Sequence, residues 1–326
     1  MLGSEKMDKD LYNQDLTQAS KNTLRDFETF TKELLQSEKL WNLNFIRKKS
    51  NELFVQLSGN KEELYSVTDT TVKNEAGDYQ IPVRNYKFGE TPSQDLLIFV
   101  HGGGWSQGNL DTHDYLCRKL SKILGIDVVA VDYRLSPEHP YPTPLNDVFS
   151  VYKNCVSDQK YNKILICGDS AGANLCTALC SRVAKSDVKA PYAQILLYPP
   201  LNNEFDSGSY KAFEKCIALS KQGTMGFFSN YAGKNITDPS LNSNYEIFPL
   251  KNDDLNVYPK TMIFSAGHDV LLDDQVNFAK KLKAANKDVL HTIDKGALHG
   301  YMTHGRYYDD LVTENCKKIK AYVYGD

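Results

Sequence analysis

Two short runs with no charged residue constrain this chain more than anything else in it: Leu96-Leu97-Ile98-Phe99-Val100 and Ile164-Leu165-Ile166-Cys167. Side chains alternate across a sheet, so a strand that is apolar at consecutive positions must be covered on both faces. Strands of that kind belong to largely parallel sheets with helices on either side, which sets the fold class as α/β. Further strands are expected at Leu64 to Lys73, Tyr79 to Phe88, Asp127 to Asp132, Ala193 to Tyr198, Thr261 to Ala266 and Val289 to Asp294. Helical spacing separates them at Tyr115 to Leu124, Asn146 to Val156, Asn174 to Lys185, Asp274 to Ala285 and Leu311 to Tyr324.

Two stretches stand outside this alternation. From Thr17 to Leu40 the spacing predicts a helix with Leu24, Phe27, Thr31, Leu34 and Leu35 on one face, placed before any strand. Between Asn202 and Pro259 the rhythm breaks over a segment too long for a simple connection and rich in Phe213, Phe227, Phe228 and Tyr231. The expected organisation is an N-terminal helical cap segment over residues 1–60 and a catalytic domain over 61–326, with 202–259 contributing further cap elements.

A net charge of −3 over 326 residues gives no broad field to attract nucleic acid. The seven cysteines form no C-x-x-C pair, so neither a disulfide framework nor a zinc site is suggested. Met1 to Gln14 lacks the apolar stretch of a secretory signal, and no run approaches the roughly 20 apolar residues that span a bilayer. A cytoplasmic protein with no membrane partner is expected. The sequon Asn235-Ile236-Thr237 then reads as surface sequence.

Chemistry enters with Gly168-Asp169-Ser170-Ala171-Gly172, a G-x-S-x-G set directly after one apolar run and directly before a helix. A nucleophile elbow needs this context, because the serine is held on a tight strand-to-helix turn and small residues on either side let strand and helix approach. His101-Gly102-Gly103-Gly104-Trp105 follows the other apolar run. Its glycines leave backbone N–H groups unshielded, a cradle for an oxygen that gains negative charge in acyl transfer. The N–H groups of Gly102, Gly103 and Ala171 are assigned to that oxyanion hole, and His101 to a structural role. Neither nucleotide-binding glycine pattern is present.

Those two motifs, with Asp132-Tyr133-Arg134-Leu135-Ser136-Pro137-Glu138-His139-Pro140-Tyr141-Pro142 between them, resemble the hormone-sensitive lipase family, which includes many bacterial carboxylesterases. The resemblance runs from about Leu96 to the C-terminus and implies an α/β-hydrolase fold, a mostly parallel central sheet with helices on both faces and a helical cap. It places the acid after the next-to-last core strand in an Asp-x-Leu-x-Asp setting, which Asp269-Val270-Leu271-Leu272-Asp273 nearly matches. Asp269 is the choice, and Asp273 the alternative, read as a helix N-cap. His299 follows the last core strand and completes the Ser, Asp, His order of the fold; His304 in the same loop is the runner-up, and His113, His139, His268 and His291 read as surface or structural.

The expected reaction is hydrolysis of a small or short-acyl carboxylic ester through an acyl-enzyme on Ser170, with His299 as base, Asp269 as its orienting acid, and neither metal nor organic cofactor required. Two other readings stay open. An amidase, peptidase or acyltransferase would use the same three residues. A non-catalytic binder, such as the plant hormone receptors that resemble this family, would need His299 far from Ser170. The expected partner is a small-molecule ester; the oligomeric state stays open, with a sheet edge near the C-terminus that could pair with a second copy of the chain.

Overall fold

The structure, a computed structural model, describes residues 11–39, 42–157 and 160–325. Residues 1–10, on which most of the leader reading rests, lie outside them. Eight strands form one sheet: β1 (Ser66–Lys73), β2 (Gln80–Lys87), β3 (Leu96–Val100), β4 (Asp127–Val131), β5 (Ile164–Asp169), β6 (Ala193–Leu197), β7 (Lys260–His268) and β8 (Val289–Leu298). Their order is β1-β2-β4-β3-β5-β6-β7-β8, antiparallel in the first two pairings and parallel in the other five.

Strands β3, β4, β5 and β6 are buried at every position, as the apolar runs Leu96 to Val100 in β3 and Ile164 to Cys167 in β5 required of their own strands. Alternate side chains feed two cores. Leu96, Ile98 and Val100 enter one with Leu175 and Leu179, while Leu97 and Phe99 enter the other with Leu116, Leu120 and Val312. The helices that cover these faces are α3 (Asp114–Leu124), α4 (Thr143–Ser157), α5 (Ala171–Val183), α8 (Leu272–Ala284) and α9 (Gly305–Tyr324), with α1 (Gln18–Leu35) and α2 (Leu43–Leu57) ahead of the sheet and α6 (Gly208–Ala212) and α7 (Lys221–Ala232) between β6 and β7.

Helix α1 corrects its expected face. It buries Ser20, Thr23 and Phe27, whereas Leu35 is 66% exposed. The buried stripe is polar because Ser20 Oγ bonds both the Tyr308 hydroxyl at 2.8 Å and the Gly296 carbonyl. Apolar spacing alone therefore set the wrong phase. Helix α2 has no counterpart in the sequence reading, although Asn42 accepts the Phe45 N–H at 3.0 Å as an N-cap does and Ser50, Leu53 and Leu57 share the buried face. No helix among the described residues is long and apolar enough to cross a membrane.

Candidate active site

The carboxyl ends of parallel strands are where open α/β sheets place their crevice. Strand β5 ends there at Asp169 and passes at once into α5, leaving Ser170 at φ 50°, ψ −121°. A serine is held at positive φ only by its surroundings. The Ser170 N–H is tied to the Leu197 carbonyl at 2.8 Å, and α5 lies so close to β3 that a Cβ on Gly172 would fall 2.0 Å from the Val100 oxygen. Trp105 and Tyr198, at φ 55° and 41°, are two more non-glycine residues in this conformation, and both flank the same site.

The three residues assigned to acyl transfer meet. His299 Nε2 lies 2.9 Å from Ser170 Oγ, and His299 Nδ1 lies 2.7 Å from Asp269 Oδ2. The other carboxylate oxygen of Asp269 accepts the Leu271 N–H at 3.0 Å, which fixes the plane of the group. Tyr198 packs its ring edge to face with the imidazole, centroids 4.9 Å apart. Asp273 stands elsewhere. It is not an N-cap but lies inside the first turn of α8, where it accepts the Tyr12 hydroxyl at 2.8 Å and the Ser209 N–H at 3.0 Å. His304 is buried in the cavity wall beside Phe27 and is pushed down to about 3 by burial and by His299, so it stays neutral.

The oxyanion-hole assignment needs one correction. The Gly102 N–H points to Asp169 Oδ1 at 2.7 Å and is therefore not free to meet a developing oxyanion. Among the described bonds, the N–H groups of Gly103 and Gly104 have no acceptor in the protein. The N–H of Ala171, first residue of α5, likewise has no partner within its helix. Asp169 was read in the sequence only as the variable position of the elbow. Burial alone would raise its pKa, but His113 Nε2 at 3.0 Å and the Gly102 N–H hold it below the ordinary carboxylate range. His113, read as surface or structural, is thus a buried structural partner of the loop, its Nδ1 2.7 Å from the Thr112 hydroxyl. His101 is structural as expected, stacked on Tyr133 with centroids 4.3 Å apart.

Above the serine lies a cavity of about 280 Å³. Its walls come from α1 and α2 (Phe27, Phe30, Leu53, Phe54) on one side and from the segment ending in α7 (Ile217, Leu219, Phe227) on the other. The volume is near the lower end for small-molecule sites, and the lining is mostly apolar with a few polar groups converging on Ser170.

Residues 97–303 match the family defined by the alpha/beta hydrolase fold. The chain belongs to the α/β-hydrolase family. This hydrolase is 33% identical over 250 residues to the carboxylic ester hydrolase LipN of Mycobacterium tuberculosis, a match that covers 73% of the chain and 64% of that protein. It is 27% identical over 277 residues to the ethyl acetate hydrolase of Pseudomonas putida, covering 81% of the chain and 84% of that protein. Its fold superposes on the structure of an ester hydrolase from the metagenome of Lake Arreo with a TM-score of 0.86 at 24% identity, over 95% of this chain and 100% of that one. The hormone-sensitive lipase resemblance read from the three sequence motifs thus agrees with the family and with its relatives.

Proposed function

We propose that this α/β hydrolase is a serine carboxylesterase acting on small or short-acyl carboxylic esters, with Ser170 as nucleophile, His299 as general base and Asp269 as its orienting acid. The observation that carries this reading is the unbroken chain of contacts from Ser170 Oγ through the imidazole to Asp269, 2.9 and 2.7 Å, on the floor of an apolar cavity. His299 takes the serine proton as Oγ attacks the ester carbonyl. The developing oxyanion faces the N–H groups of Gly103, Gly104 and Ala171 in place of Gly102. Protonated His299 then gives its proton to the leaving alcohol, and an acyl-enzyme results. Water, deprotonated by the same imidazole, attacks that acyl carbon, and the acid is released as His299 returns the proton to Ser170 Oγ, while Asp269 keeps the imidazole in the tautomer that leaves Nε2 free to accept.

A binder without catalysis is disfavoured by the same distance, since that reading needs His299 away from Ser170. In the proposed arrangement α1, α2 and the 202–259 segment act together as the cap, because both groups supply cavity wall. The relatives named for ester hydrolysis support an ester over an amide.

The test is hydrolysis of p-nitrophenyl esters from acetate to long acyl chains, run beside Ser170→Ala. Turnover that peaks at short chains and disappears in the variant is the expected result. Activity retained by Ser170→Ala, or none on any ester by the parent enzyme, would sink the proposal.

A further inference from the structure

The strands that deliver Asp269 and His299 do not end in regular pairing. Between Ala266↔Asp294 and His268↔Leu298 the register of β7 and β8 shifts, so that Gly267 alone faces Lys295, Gly296 and Ala297. Gly296 stands at φ +70° in this bulge, three residues before His299. A bulge leaves backbone groups without a ladder partner. Here they turn to the segment before α1. The Gly296 N–H donates to Gln14 Oε1 at 3.2 Å, and the Gly296 carbonyl accepts the Thr17 N–H at 3.4 Å and the Ser20 hydroxyl.

The fit is built for this segment. A Cβ on Gly267 would lie 2.5 Å from Gln14 Oε1, and one on Gly296 would lie 2.5 Å from the Asp15 carbonyl oxygen. Both positions are therefore glycine where the strap passes, two residues before Asp269 and three before His299. A second tie holds the far end of the acid turn. The Tyr12 hydroxyl sits 2.8 and 3.1 Å from the two oxygens of Asp273, the carboxylate that also accepts the Ser209 N–H, while Ser209 Oγ donates to the Val270 carbonyl at 2.7 Å.

We propose that Tyr12 and Gln14 are positioning residues for the reaction: the strap they belong to clamps the β8 bulge and the turn from Asp269 to Asp273, and so sets the imidazole against Ser170. Neither residue touches substrate or the reacting atoms. The inference rests on the esterase reading, because its consequence is measured on the proton that His299 returns to the leaving alcohol. An alkoxide leaving group needs that proton far more than a nitrophenolate does, so a displaced imidazole penalises alkyl esters beyond aryl ones. Displacements of about 1 Å at a catalytic group cost on the order of a hundredfold, and loss of two hydrogen bonds in a strap should cost less.

The experiment uses the full chain with Tyr12→Phe, Gln14→Leu, Gln14→Glu and the Tyr12→Phe/Gln14→Leu pair, assayed on ethyl butyrate and p-nitrophenyl butyrate. Rates are normalised to active sites titrated with a fluorescent phosphonate, which removes unfolded protein from the comparison. The double variant should lose about tenfold in kcat on the ethyl ester and no more than about threefold on the nitrophenyl ester, with KM unchanged on both. Gln14→Glu keeps an acceptor for the Gly296 N–H and should recover most of the loss of Gln14→Leu. Equal losses on the two esters, or full kcat in the double variant, would reduce the strap to a purely structural role. Should the double variant not fold, the two single variants decide by the same ratio. A parent enzyme inactive on both esters would instead overturn the esterase reading.

Discussion

Asp269 and Asp273 lie four residues apart, both almost wholly buried, yet only Asp269 reaches an imidazole. What separates them is direction. Asp269 leaves β7 before α8 begins and turns one oxygen to His299 and the other to the Leu271 N–H, whereas Asp273 is already helical and faces Tyr12 and Ser209. Asp269→Asn should therefore lower kcat by about 10⁴ on any ester while the protein still folds, because the amide cannot hold the required tautomer of the imidazole. Asp273→Asn keeps an acceptor for Ser209 and should stay within about tenfold of the parent, a positioning effect rather than loss of the acid. Both are read from steady-state kinetics on p-nitrophenyl acetate. The reverse ranking would move the acid to Asp273. The proposed oxyanion hole shows where reading single residues fails: three adjacent glycines look equivalent in sequence, and only the position of the Asp169 carboxylate, brought 2.7 Å from the first of them by folding, decides which N–H groups remain.

Among the elements, α7 forms one wall of the cavity. Its N-cap Ser220 accepts the Gly223 N–H at 3.0 Å, and Phe228 and Tyr231 anchor it on Trp105, the latter ring stacked at 4.5 Å and 4°. That anchoring presents Phe227 directly over the glycine loop, where a Cβ on Gly104 would meet its ring at 2.4 Å. Phe227→Ala should lengthen the preferred acyl chain by at least two carbons, at a stability cost below the ~3 kcal/mol typical of a fully buried Phe, since Phe227 is only partly buried. An unchanged chain-length optimum in the ester panel would show that the acyl chain runs elsewhere. Much of this scale was legible beforehand. The central strands and the elbow announced themselves because burial on both faces and a tight turn leave unmistakable residue patterns. The caps did so less. Helix α1 hides its buried face in Ser20, whose hydroxyl donates to the Gly296 carbonyl and meets the Tyr308 hydroxyl, and in Thr23, whose hydroxyl donates to the Ala19 carbonyl, and α2 carries its signal in a single Asn42 cap and a sparse stripe. Which helix closes over the serine depended on contacts hundreds of residues apart, and no local spacing encodes those.

For the whole molecule, buried titratable groups define a pH optimum of stability. Burial pushes His304 down to about 3 and His291, bonded to Ser265 at 2.8 Å, down to about 4, both from 6.5. Each stays neutral in the fold but takes a proton on unfolding below pH 6.5, so its stabilisation, present above that value, drains as pH falls toward the folded value. Asp274 has the opposite sign. Burial raises it from 3.8 to about 8 although it accepts the Leu201 and Asn202 N–H groups, so its contribution is complete below 3.8 and is lost as pH rises to about 8. Between pH 4 and 6.5 the unfolded chain gains two histidine protons against the one that folded Asp274 retains, and stability rises by about 1.4 kcal/mol per pH unit. From 6.5 to 8 only the aspartate acts, and the slope reverses. Burial also lowers His268, which adds to the rise with pH below 6.5, and raises Asp294, which opposes that rise above pH 3.8. Thermal unfolding followed from pH 4.5 to 9 should thus give a maximum near 6.5. Asp274→Asn should flatten the alkaline limb and steepen the acid one, and His304→Phe should nearly level the acid limb. A Tm that stays level from 6.5 to 8 in the parent would show that Asp274 folds as a carboxylate, its two backbone donors offsetting what burial takes away.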